Sequence, residues 1–408
     1  MDNNKIAGSD NKTGDINNKT SSIDNKIADL NVLYDAFRAS LKGSAWKEEP
    51  QKFEIDFLSE IVKLKQELET REYETMPGSE FTLNERGKIR HIHGGRMRDR
   101  VVRHALCDTV LDEALQPYLI YNNSASQKGK GVSFARKMFE RDLHNYWLKH
   151  RNNDGYVGFV DFSKFYDNIR HDKVKEMVLP RVDEFSGWLF GQIVDTFKID
   201  VSYMDDEEYA GCMGQRFDSV KYYESIPEEL RTGQKFMAKS VDIGDQVSQD
   251  IGIFYPVQID NYAKIVRGAK MYGRYMDDIY IIGETKEYVA SVIRGIAEQA
   301  HSLGIFINER KTRIVKLSST FKYLQVKYSL AASGKVIKRA NPKSVSRERR
   351  KLKSYKRLYD AGKMDYKDIE QAYKSWMGAY VPLMSKEQVN NMKKIYKGLF
   401  GKEPRWKK

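Results

Sequence analysis

YGRYMDDIYIIG, Tyr272 to Gly283, is the stretch on which the reading of this chain turns. Apolar or aromatic residues flank its two acids on both sides: Met271 and Tyr272 before them, Ile279, Tyr280, Ile281 and Ile282 after. Two strands joined by a tight turn would place Asp277 and Asp278 at a hairpin tip, held by a buried sheet. A metal centre needs hard oxygen ligands fixed on rigid elements. The same tetrapeptide also stands at Tyr203–Asp206, inside VSYMDDEEYAG, where it runs on into Glu207 and Glu208 with no apolar strand behind it. Consecutive acids repel one another unless solvated, so Asp205 and Asp206 read as a solvated loop.

A third carboxylate extends the argument. GYVGFVDFSKFYDNI puts Asp161 where a buried apolar strand ends. Two Mg²⁺ ions about 3.5–4 Å apart, bridged by carboxylates, support in-line phosphoryl displacement. Asp161, Asp277 and Asp278 supply such a set if their strands lie side by side.

Bulk properties fit a polyanion partner. The 408 residues carry 70 Lys+Arg against 57 Asp+Glu, a net charge of +13, which favours nucleic acid or an anionic membrane surface. Basic residues crowd SVSRERRKLKSYKR and the terminal KKIYKGLFGKEPRWKK. No run approaches the ~18 apolar residues of a membrane span, and MDNNKIAGSDNKTG lacks a hydrophobic signal core. Two cysteines, Cys107 and Cys212, are too few for a disulfide framework or a zinc site. A cytoplasmic protein with no membrane partner is the expectation.

Residues 3–30 read as four heptads, with Ile6, Thr13, Thr20 and Ile27 in one position and Ser9, Ile16, Ile23 and Leu30 three residues on. They form either a short oligomerising stalk, which would make a homo-oligomer, or a disordered tail. From Leu30 onward the texture is globular. LNVLYDAFRASLKG and FEIDFLSEIVKLKQELETREYE have helical spacing, and EFTLNERGKIRHIHG reads as a hairpin turning at NERG. DRVVRHALCDTVLDEALQPYL is helical to about Pro117. DIGDQVSQDIGIFYPVQIDNYAKIV is a glycine-containing loop entering a helix. IFINERKTRIVKLSSTFKYLQVKYSL is strand-rich, and the chain from about Pro342 is helical and basic. Strands interleaved with helices predict an α+β domain followed by an all-helical module.

DFSKFYDNIRHDKV followed by YGRYMDDIYIIG resembles motifs A and C of reverse transcriptases. KIRHIHGGRMRDRVVRHAL and SQKGKGVSFA resemble the fingers segments of the prokaryotic enzymes, GIFINERKTRIV resembles motif D, and FKYLQVKY resembles the primer grip. The likeness covers about residues 75–385, with the motifs in order. It implies a right-hand polymerase fold. Residues 1–30 would be the tail, 31–80 an N-terminal helical region, 81–155 the fingers, 156–330 the palm with an insertion at about 183–240, and 331–408 the basic helical thumb.

The resemblance assigns roles residue by residue. Asp161, Asp277 and Asp278, with the main-chain carbonyl of Phe162, would ligate two Mg²⁺ ions, for which Mn²⁺ can substitute. Tyr166 matches the gate that selects dNTP over rNTP. Lys88 and Arg90 match positions that grip the triphosphate. Lys311 matches the motif D lysine, a proton donor to pyrophosphate. Gly244 and Gln249 would border the templating base pair, and Lys128 and Lys130 would meet template phosphates. In the thumb, Arg347, Arg349, Arg350, Lys351 and Lys353 would follow an RNA/DNA duplex. His91 and His93 alternate on a strand and read as surface or RNA contacts.

The departures from the family pattern are specific. Motif B is IGDQVSQ, Ile243 to Gln249, where many relatives have QGxxxSP. It is similar to the IGxxxSQ of diversity-generating retroelements, whose enzymes copy a template RNA and misincorporate opposite adenine; that type implies a small accessory protein as partner. YLQ stands where FLG is usual. The runner-up is an antiphage, abortive-infection-type reverse transcriptase with untemplated or self-primed synthesis. A non-catalytic RNA-binding protein on the same scaffold is the reading from another class, and three converging carboxylates speak against it.

Overall fold

In the computed structural model, which describes residues 26–85 and 87–404, three helices come first: α1 Leu30–Ser40, α2 Glu48–Ile55 and α3 Phe57–Glu69. Of the heptads, only Lys26–Leu30 lies among the described residues, and Ile27 is buried there in the main core. The sequence reads as one helix across α2 and α3, but the non-helical backbone of Asp56 (φ −101°, ψ 19°) divides it. β1 Ser79–Glu85 and β2 Lys88–Gly94 pair antiparallel around a turn in which Gly87 takes φ +79°. α4 Met97–Leu106 continues through a wide turn at Cys107–Leu111 into α5 Asp112–Leu115 and stops at Pro117, which cannot extend a helix. Then come α6 Val132–His150, β3 Tyr156–Ser163, α7 His171–Val178 and α8 Glu184–Thr196.

The segment that follows is β4 Ile199–Asp200, α9 Asp206–Gly214, α10 Ser219–Ser225 and β5 Phe236–Met237. After it the chain forms α11 Gln246–Phe254, α12 Val257–Asn261, β6 Tyr272–Tyr275, β7 Asp278–Gly283 and α13 Lys286–Ser302. Five short strands lead on: β8 Phe306–Ile307, β9 Arg313–Lys316, β10 Phe321–Tyr323, β11 Val326–Leu330 and β12 Val336–Ala340. Three helices close the chain, α14 Pro342–Asp360, α15 Tyr366–Tyr380 and α16 Lys386–Phe400. The class is mixed α+β with antiparallel sheets.

The central sheet positions the site. β3 pairs with β7 along its length, β6 lies beyond β7, and β8 and β9 take the other edge of β3. Alternation of side chains sends the two faces into two cores. Val160, Phe162, Ile279 and Ile281 point into a large core with α11, α13 and the N-terminal helices. Val157, Phe159, Tyr280 and Ile282 point into a second core with Phe139 and Leu143 of α6 and Phe321, Tyr323 and Tyr328 of the β10–β11–β12 sheet. A sheet covered on both faces is a stiff support. Gly158 allows α13 to approach: a Cβ there would lie 2.6 Å from Val289.

The expected insertion at about 183–240 is two things. Phe185, Leu189, Phe190 and Ile193 of α8 belong to the main core. Residues 199–237 instead gather a small core of their own from Ile199, Val201, Met204, Phe217, Tyr222 and Met237. The last three helices also have a separate core, in which Tyr373 stacks on Tyr396 at 4.3 Å between centroids. Among the described residues no helix is long and apolar enough to cross a membrane.

Candidate active site

β3 and β7 set the geometry. Asp161 pairs directly with Asp278 in their register, so both side chains leave the same face. Cβ atoms opposed in this way lie about 4.5–5.5 Å apart. Asp277 sits in the turn between β6 and β7, where Met276 adopts φ +56°. Like charges opposed across a sheet repel, and burial adds to the cost. Burial first, then Asp277 and Asp161, push the Asp278 carboxyl up to about 7. The Lys311 ammonium holds Asp161, at 2.6 Å from one carboxylate oxygen and 2.8 Å from the other. The Asn308 amide donates to the Asp161 carbonyl at 2.7 Å and locks the strand edge.

The hairpin tip is pinned from below. Arg274, wholly buried, donates to both oxygens of Asp260, at 2.9 Å from Nε and 2.7 Å from Nη2. Its other terminal nitrogen donates to the Met276 carbonyl at 3.1 Å. Tyr272 also donates to Asp260, at 2.7 Å. A buried pair of this kind is costly to break, about 3–5 kcal/mol when one partner is lost. Sequence reasoning missed Arg274 and Asp260; the signal available was an arginine inside an otherwise apolar strand.

Above the tip lies a cavity of about 720 Å³, within the range of small-molecule sites. Arg90, His93, Phe162, Tyr166, Asp277 and Lys311 all contribute to its wall. The structure therefore gathers one triphosphate-gripping candidate, the gate candidate and the motif D lysine around the turn aspartate. Lys88 is adjacent in β2. The Tyr166 ring fits between two motifs: its hydroxyl lies 3.6 Å from Met276 Sδ, and a Cβ on Gly252 would lie 2.9 Å from it. Burial, then Asp277, raises the Tyr166 hydroxyl well above its ordinary range, so it stays protonated. Gly252 is a second residue the sequence reading missed.

The IGDQVSQ stretch borders the cavity through Ile243, and Asp242 just before it also lines the wall. Gly244 follows at φ +98°, and the Asp245 carboxylate caps α11 by accepting from the Ser248 amide. Arg103 of α4 forms an ion pair with Asp245 and holds this loop. Gln249 is not on the cavity wall; its Oε1 accepts from Ser126 at 3.1 Å.

The remaining candidates stand apart from the cavity. Lys130 spends its ammonium on the Tyr121 and Asn123 carbonyls and on Gln127, at 2.9–3.1 Å, so it holds a loop rather than facing a phosphate. Lys128 is exposed and bridges Asp108 and Asp112 at 3.2 Å each. On α14, Val345, Glu348 and Leu352 face inward, and Lys343, Arg347, Arg350 and Arg357 fall on the exposed side. Lys351 and Lys353 are exposed as well, whereas Arg349 is half-buried.

The first YMDD is not a loop. Asp205 is the N-cap of α9, its carboxylate accepting from the Glu208 amide at 2.8 Å. Asp206, Glu207 and Glu208 occupy the first turn, where the helix dipole favours negative charge. Asp206 is fully exposed and ion-pairs with Lys235 at 2.7 Å. The expectation of solvated acids away from a strand holds, but their reason for clustering is a helix start.

Asp161, Asp277 and Asp278 offer only hard oxygens, with Lys311 and Lys322 among the charges that offset them, a donor set that suits Mg²⁺. Among the described residues no group of three or more His, Cys, Asp and Glu is gathered tightly enough to hold a metal as it stands; Asp161 is engaged by Lys311 instead. Set against protein-family models the chain matches none, and no curated protein matches it.

Proposed function

We propose that this chain is an RNA-directed DNA polymerase. The observation that carries the reading is the direct pairing of Asp161 with Asp278, with Asp277 in the adjoining turn on the wall of a cavity of nucleotide size. In this reading the β1–β2 hairpin belongs to the fingers, the central sheet is the palm and α14–α16 form the thumb.

Asp161, Asp277 and Asp278 would hold two Mg²⁺ ions with the Phe162 carbonyl. Bound there, the ions supply the positive charge that acidifies a primer 3′-hydroxyl and offsets charge on the leaving pyrophosphate. Burial, then the neighbouring Asp277 and Asp161 carboxylates, lifts Asp278 to about 7, a cost that a bound cation would relieve. Arg90 binds triphosphate oxygens with its guanidinium fork. Lys311 carries a proton into the site beside Asp161 and is the donor to pyrophosphate. The Tyr166 ring, fixed between Met276 and Gly252, excludes a 2′-hydroxyl by contact. The exposed bases of α14 track a duplex backbone without reading sequence.

The motif IGDQVSQ supports the diversity-generating type, since Ile243 borders the cavity and Gly244 bends the loop beside it. One experiment tests both levels: primer extension on a defined RNA with Mg²⁺ and all four dNTPs, followed by sequencing of the product. The expected result is extension that prefers dNTP to rNTP, with errors concentrated opposite adenine. A folded protein that extends no primer on RNA contradicts the polymerase reading. Extension with equal, low error at all four template bases retires the diversity-generating type and leaves the antiphage type.

A further inference from the structure

The segment Ile199–Met237 is the part of the molecule to which the polymerase reading assigns no work. It is tied to the turn after Asp161 by a dense set of contacts. Asn168 and Phe217 exchange two hydrogen bonds, Phe217 N to Oδ1 at 2.7 Å and Nδ2 to Phe217 O at 3.0 Å. Asp167 accepts from the Ser219 amide at 3.1 Å, and Lys164 pairs with Asp218 at 2.7 Å. Lys239, buried, donates to the Gln215 carbonyl at 2.7 Å and to the Cys212 carbonyl. Buried, satisfied hydrogen bonds of this density fix a segment in place.

What this docking presents is part of the cavity wall. Arg216, Ser219, Val220 and Glu224 line it together with Arg90 and Asp277. Arg216 donates from Nη1 to Ser163 Oγ at 2.9 Å, two residues beyond Asp161. A guanidinium has five N–H donors. Among the described residues this is the hydrogen bond Arg216 makes, and it forms no ion pair there. An exposed guanidinium anchored at one corner, with its other donors available on a cavity wall, is built to take a multiply charged oxyanion by a bidentate grip. Of the acids on the same wall, Asp167 accepts from the Ser219 amide, Glu224 is exposed near the far end of α10, and Asp242 and Asp277 complete the set.

We infer that the 199–237 segment is a nucleotide-binding element and that Arg216 binds the triphosphate of the incoming nucleotide together with Arg90. This rests on the polymerase reading for the identity of the substrate. The docked segment then acts as a fixed wall of the site, and its loss would open the cavity beside the strand end that carries Asp161.

The test uses the full chain and the variants Arg216→Gln and Arg216→Lys. Two readouts are compared: steady-state dNTP incorporation, and direct calorimetric binding of inorganic tripolyphosphate, which needs no catalysis. The expected result for Arg216→Gln is a KM for dNTP raised about tenfold or more, kcat within about threefold of wild type, and tripolyphosphate affinity lowered by a similar factor. Arg216→Lys should recover part of both. A wild type that extends primers while Arg216→Gln leaves KM and tripolyphosphate affinity within about twofold overturns the inference and spares the polymerase reading. A wild type that fails to extend, yet loses tripolyphosphate binding on Arg216→Gln, keeps the anion site and removes the polymerase reading. If Arg216→Gln lowers kcat and thermal stability together with KM unchanged, Arg216 only docks the segment and the inference fails.

Discussion

Asp250 shows what a single residue can cost this fold. It sits in α11, 2% exposed, and among the described residues neither carboxylate oxygen has a hydrogen-bond partner of ordinary geometry. Burial pushes it up to about 7, and Asp112, Asp108 and Asp245 add to that, while the neighbouring Cys107 thiol opposes it. The folded chain therefore holds a proton that the unfolded chain releases near its ordinary value of 3.8. Stability from that proton is present below the ordinary carboxylate range and is lost as pH rises to about 7. Asp250→Asn should gain on the wild type between pH 5 and pH 8, by about 3 kcal/mol. Urea unfolding at the two pH values measures it; an equal difference at both would show that Asp250 titrates normally. Reading charge from sequence meets its limit at this scale. Asp161 and Asp277 were legible because apolar strands announce them. Lys130, Arg274 and Asp250 were not, because the sequence does not say which charge finds a partner, which is spent on carbonyls and which is buried alone.

Among the elements, the β10–β11 hairpin carries the departure at YLQ. Its two-residue turn places Leu324 at φ +41° and Gln325 at φ +68°. Two positive φ values match the right-handed twist of the strands but favour Gly or Asn. Gln325 thus stands in a left-handed conformation where the resembling enzymes have glycine. Gln325→Gly should raise stability by about 1 kcal/mol, seen as a higher urea midpoint with an unchanged slope. A lower midpoint would mean that the Gln325 side chain, which accepts weakly from Asn341 at 3.5 Å, matters more than its backbone. Elements with a strong period were legible: the hairpin at NERG and the helix from Pro342 stand where the sequence places them, and so does the strand that carries Asp161, although it runs on to Ser163 rather than ending at the acid. The 199–237 segment was not, because two-residue strands and helices under ten residues leave no period to read. Even so, Asp205 with Glu208 three residues on is the signature of a helix start, and it was available in the sequence.

At the scale of the whole molecule, one sheet separates two cores, and the acids leave it where β3 and β7 run out. The chain spends its two YMDD copies differently: one caps a surface helix, the other turns a hairpin braced by the buried Arg274–Asp260 pair. The same four letters differ only in what surrounds them, and the polymerase proposal requires the second copy, not the first, to do the chemistry. The direct measurement is dTTP incorporation on poly(rA)/oligo(dT) with Mg²⁺ by two variants side by side, Asp277→Asn and the double variant Asp205→Asn/Asp206→Asn. The account predicts that Asp277→Asn loses about a thousandfold or more, while the double variant keeps at least about half of wild-type activity. Undiminished incorporation by Asp277→Asn, or an equally deep loss in the double variant at unchanged stability, would contradict it.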